Sequence, residues 1–145
     1  MSQEDREKLL ACLTDQTAER FRSGDLRVEI APPSWPDGWY CDPYWRVSVP
    51  LAVQLMSLPA ANDFVIYYHR DTDFHRIQFD YDGDTFIIRW YKTFILHRKS
   101  DRKHIDFGRR EGSISDFMKR EKFKESSRWQ ETSSVSNPFC GIRAN

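Results

Sequence analysis

Between residues 63 and 98 lie four segments dense in aromatic and β-branched residues, the second of which alternates apolar with polar positions. The segments are DFVIYYH at 63–69, FHRIQFDY at 74–81, TFIIRWY at 85–91 and TFILHR at 93–98. A period of two in aromatic and β-branched residues is the mark of strands with one buried face. Asp82-Gly83 separates the second from the third and predicts a tight hairpin; KHIDF at 103–107 continues the sheet. On the strand TFIIRWY the alternation predicts that Phe86, Ile88 and Trp90 enter the core. Ile87, Arg89 and Tyr91 then take the other side, with Arg89 at the surface.

Elsewhere the spacing changes to that of helices. Residues 2–23 read as one helix, with Ser2 as cap, Asp5 three residues on and Gly24 as stop. Its Leu9, Leu10, Cys12, Leu13 and Phe21 form a loose apolar face, to be docked on the domain or used for self-association. LAVQLMSL at 51–58 follows Pro50, a favoured first helical residue, and SISDFMKRE at 113–121 places Ile114, Phe117 and Met118 on one face. APPSWPDGW at 31–39 holds three prolines and excludes regular structure. The end, from Lys124, is polar and serine-rich, the composition of a mobile tail.

The expected organisation is an N-terminal helix (1–24), a proline-rich loop (25–38), a domain (39–123) and a flexible serine-rich tail (124–145). The domain is of the α+β class: a central antiparallel sheet flanked by two helices, one packed on each face. A chain of 145 residues suits one such domain. Formal charge sums to zero, so no global field recruits nucleic acid or membrane, yet residues 89–128 hold 13 Lys/Arg against 6 Asp/Glu. Three dispersed cysteines make neither a disulfide framework nor a zinc pair. With an acidic, non-apolar start and no run of roughly 20 apolar residues, they point to a cytoplasmic or nuclear compartment.

Several residues together resemble the Src-homology-2 family over roughly residues 39–123. They are the aromatic pair Trp39-Tyr40, Arg46 seven residues after the tryptophan, the helix LAVQLMSL, the strands FHRIQFDYDGDTFII and the closing GSISDFM. The spacing puts the family's signature strand at Phe64-Val65-Ile66-Tyr67. The look-alike Phe86-Ile87-Ile88-Arg89 leaves too little chain before the last helix. The resemblance implies a non-catalytic adaptor or regulatory module for a protein or peptide partner, phosphorylated or acidic. It also implies a phosphopeptide site at Arg46, Tyr67, His69, Arg70 and Thr85. Tyr67 stands where the family places the arginine that grips phosphate, so ordinary phosphotyrosine binding is expected to be weak or absent.

The rival reading is single-stranded nucleic-acid binding. Phe86, Trp90, Tyr91 and Phe94 would stack bases while Arg98, Lys99, Arg102 and Lys103 meet phosphate. HRDTDFH at 69–75 and the aspartates at 80, 82 and 84 read as turns rather than metal loops. No cofactor or metal is implied. Nothing in the spacing brings a serine or cysteine beside a histidine, so no enzyme is read.

Overall fold

A computed structural model describes residues 1–30, 44–69, 74–90, 92–110, 112–133 and 137–139. Along the chain run α1 (Gln3–Cys12), α2 (Asp15–Ser23), β1 (Val28–Ile30), a π-helical turn (Tyr44–Ser48), α3 (Val49–Met56), β2 (Ala61–His69) and β3 (Phe74–Tyr81). Then come β4 (Asp84–Trp90), β5 (Phe94–Arg98), β6 (Lys103–Asp106), α4 (Gly112–Met118), a 3-10 turn (Phe123–Glu125) and β7 (Gln130–Glu131). The fold is α+β. Among the described residues seven strands lie side by side in chain order. All pairs are antiparallel except β1 with β2. Among the described residues no helix is long and apolar enough to cross a membrane.

The strand pattern sets which side is core. Ile66, Ile77, Ile88, Leu96 and Ile105 are successive cross-strand partners and all are buried. Phe64, Phe79 and Phe86 stack beside them, with ring centroids 5.3 and 5.8 Å apart. The β3–β4 hairpin is the Asp82-Gly83 turn that the sequence signals, both residues having positive φ (51° and 82°).

Both domain helices pack on this one face, which corrects the expectation of one on each side. α3 touches α4. Leu51, Leu55 and Met56 of α3 share a single apolar cluster with Ile114, Phe117 and Met118 of α4. Apolar helical faces show that a helix must be covered, not which side of a sheet covers it.

The N-terminal helix is two helices. Leu13 turns extended, and Thr14 caps α2 by accepting from the Thr17 amide at 3.4 Å. The expected cap at Ser2 and the stop at Gly24 (φ 88°) are both present. Leu9 and Phe21 enter the core, and Arg20 donates to the Met56 and Ala61 carbonyls, each at 3.3 Å. The apolar stripe is therefore docked on the domain. β1 lies inside the stretch expected to be loop. Asn62 holds it at β2, accepting from the Arg27 amide and donating to the Asp25 carbonyl, both at 2.7 Å. The rest of the proline-rich segment, and the Trp39-Tyr40 pair that follows it, are outside the described residues.

The described residues of the C-terminal part are likewise not a free tail. Trp129 is 7% exposed, β7 pairs with β6, and Asn137 and Pro138 are buried. Polar composition hid three anchoring side chains.

Candidate functional site

The same register that fills one face builds a second, polar one on the reverse of the sheet. Val65, Gln78, Ile87, His97 and His104 form one cross-strand row, and Tyr67, Arg76, Arg89 and Ile95 the next. This face is covered rather than wet. Ile87 is fully buried, Arg76 is 9% and His97 2% exposed, and Arg89 is half-buried. The expectation of Arg89 at the surface is thereby corrected. Alternation gives the side on which a residue falls, but not whether that side meets water.

Arg76 and Arg89 stand directly opposite each other on β3 and β4. Arg89 Nε donates to His97 Nε2 at 3.2 Å. That bond makes Nε2 the acceptor and puts the imidazole proton on Nδ1, which is buried and has no partner among the described residues. Burial, then Arg89, His104 and Arg76, hold the His97 pKa down at about 3, so the ring is neutral. Burial and the neighbouring Arg76 also lower the Arg89 pKa. The His104 ring lies 5.8 Å from that of His97, and its Nδ1 shares a short hydrogen bond with Thr132 Oγ1. Across this face runs the chain's own segment 137–139. Arg76 Nη2 donates to the Pro138 carbonyl at 3.4 Å, while Asn137 Oδ1 accepts from the Phe139 amide at 2.9 Å. Asn137 is 5% exposed, and its Nδ2 has no partner among the described residues.

Of the phosphopeptide residues read from the sequence, Arg46, Tyr67, His69 and Thr85 have described positions in the fold. Arg46 is exposed on the π-helical turn, whose neighbours Val47 and Ser48 pack on the core side against Ile77, Ile88 and Trp90. Tyr67 and Thr85 take register positions on the reverse side, Tyr67 opposite Arg76 and Thr85 opposite Asp80. The Thr85 hydroxyl donates to Asp80 Oδ1 at 2.8 Å. His69 ends β2 opposite Phe74, and Arg70 is outside the described residues, as is the 70–73 part of HRDTDFH.

The stacking platform of the nucleic-acid reading is corrected for Phe86, Trp90 and Phe94, which belong to the core. Phe86 and Phe94 are buried, and Trp90 stacks on Phe94 at 5.4 Å. Tyr91 is outside the described residues. Arg98 is a structural side chain: it grips Asp101 through Nε (3.0 Å) and Nη2 (2.6 Å), donates to the Lys124 carbonyl (2.8 Å) and covers the Trp129 ring at 4.1 Å. Lys99 and Arg102 are exposed on the β5–β6 turn, and Lys103 lies 3.8 Å from Glu131.

One contact was missed altogether. Ser48 Oγ and His75 Nδ1 share a 2.8 Å hydrogen bond, although no sequence spacing joined a serine to a histidine. The usable signal was the alternation in FHRIQF, which puts His75 on the core side with Ile77 and Phe79. Both residues are buried, His75 lies against Trp90 (4.7 Å), and the adjoining cavity of about 10 Å³ has room for a single water. This is a satisfied core pair.

Comparison with protein-family models, with curated proteins and with solved structures finds no match.

Proposed function

We propose that the chain is a non-catalytic interaction module, similar to a Src-homology-2 domain in the order of its elements, that binds a segment of a protein partner across the reverse face of the sheet. The observation that carries this reading is that the face already holds a peptide. Residues 137–139 lie on it, and an arginine side chain donates to their backbone. A face that carries arginine and histidine among its apolar residues, and already contacts a turn of backbone, is suited to recognising peptide groups and charge. Ordinary phosphotyrosine binding is weak or absent on this reading, since Tyr67 stands where a bidentate arginine would grip the phosphate. The setting is the cytosol or nucleus, where thiols such as the exposed Cys12 stay reduced.

Selection from a random peptide library against the full chain tests the reading. Peptides with a common pattern should be enriched, and Arg89→Glu should weaken them at least tenfold. Peptides that bind Arg89→Glu as well as the parent chain would sink it. Binding of a single-stranded oligonucleotide, with a steep loss on added salt, would favour the nucleic-acid alternative instead.

A further inference from the structure

Asn137-Pro138-Phe139 is a turn closed by its own side chain. Asn137 Oδ1 accepts from the Phe139 amide at 2.9 Å, a bond that stands in for a backbone turn, and Pro138 fixes φ between them. The Pro138 carbonyl is left to accept from outside the turn, and Arg76 Nη2 donates to it at 3.4 Å. After the exposed Gln130, Glu131 and Ser133, Asn137 and Pro138 are buried again. The fit is incomplete. The bond to Arg76 is at the long end of hydrogen-bond range. Asn137 Nδ2 and the His97 Nδ1–H are buried donors with no acceptor among the described residues. A buried donor without an acceptor destabilises the arrangement that leaves it so. An occupant that makes the same turn and brings one acceptor more would hold the face better.

Resting on the interaction reading above, we infer that Asn137–Phe139 is a ligand of the chain's own sheet that closes the face in cis. The partner that replaces it presents the same chemistry, an Asn-Pro turn whose proline carbonyl meets Arg76. Such a peptide is suited to the task because asparagine and proline set the turn before binding, so little ordering remains to be done. The tethered segment competes at high effective concentration. An added peptide therefore meets only the fraction of molecules in which the segment is off.

The test is an NMR titration of the isotope-labelled full chain with an unlabelled peptide, Ser-Val-Ser-Asn-Pro-Phe, which copies residues 134–139. The control peptide carries Gly-Gly in place of Asn-Pro. The copy should move the Phe139 amide signal saturably to the position of an unstructured chain, and the control should not. A full-length variant with Asn137→Gly and Pro138→Gly together loses the turn's bond and its fixed φ. It should bind the copy at least about tenfold more tightly than the parent, the ratio for a face closed in nine-tenths of molecules. Arg76→Gln in that variant should remove the gain; if it fails to fold, the Phe139 signal decides alone. Equal affinity of parent and variant, no binding of the copy to either, or the control matching the copy would each overturn the inference. So would an unmoved Phe139 amide while the copy binds. Library peptides that need Arg89 yet leave Phe139 in place would overturn it too, and leave the interaction reading standing.

Discussion

Trp129→Ala is expected to cost about 3–5 kcal/mol of folding stability, the usual range for removing a large buried aromatic. The indole ring is 7% exposed and packs 5.9 Å from Phe117 and 6.2 Å from Phe86. Its Nε1–H donates to the Phe123 carbonyl at 2.9 Å, and the Arg98 guanidinium covers its face. Truncation leaves a cavity at the meeting of β4, α4 and the 3-10 turn, a carbonyl without its donor and an arginine without its ring. Urea unfolding of the variant measures the loss through the shift in midpoint. A free serine-rich tail would give almost none, so a change under about 1 kcal/mol would show that the segment is not docked.

Acidification is the second large effect, and His97 is its source. The folded pKa, about 3, lies below the ordinary 6.5 of an unfolded histidine, so below pH 6.5 the unfolded chain binds a proton that the folded chain refuses. Stability from this group is fully present above pH 6.5 and is lost as pH falls from there towards 3. The slope is about 1.4 kcal/mol per pH unit, hence roughly 2 kcal/mol between pH 7 and 5. Asp63 and Asp101, with pKa values lowered mainly by hydrogen bonds from Arg27 and Arg98, add their losses only below the ordinary carboxylate range. His97→Gln should flatten the curve between pH 7 and 5, since glutamine can still accept from Arg89 without taking up a proton. An unchanged slope would place the acid sensitivity elsewhere.

Most of the sheet was legible because a strand writes its buried face as a period of two, and because Asp82-Gly83 admits the positive φ that the hairpin needs. Helix caps were legible for the same local reason, at Ser2 and Gly24. What failed was non-local. Nothing in LAVQLMSL or SISDFMKRE encodes which side of the sheet it covers, and both cover the same one. The break at Thr14 is written in the chain as a capping residue, but the apolar run of Leu9, Leu10 and Leu13 on either side of the turn mimics one continuous helix. Trp129 and Asn137 were lost in serine-rich composition, although a lone tryptophan in a polar stretch is itself a sign of anchoring. The reverse face was hardest. Arg76 and Arg89 sit at outward positions in both strands, and a sequence does not record that Pro138, 62 residues further on, will meet Arg76.

The most direct measurement is an NMR titration of the full chain, following arginine Nε–H and histidine ring signals as a selected partner peptide is added. The account predicts saturable shifts of Arg76, Arg89 and His97 with one common affinity, while Arg98, held by Asp101 and Trp129, stays in place. Shifts confined to Lys99, Arg102 and Lys103, with Arg76 and Arg89 unmoved at saturation, would contradict it.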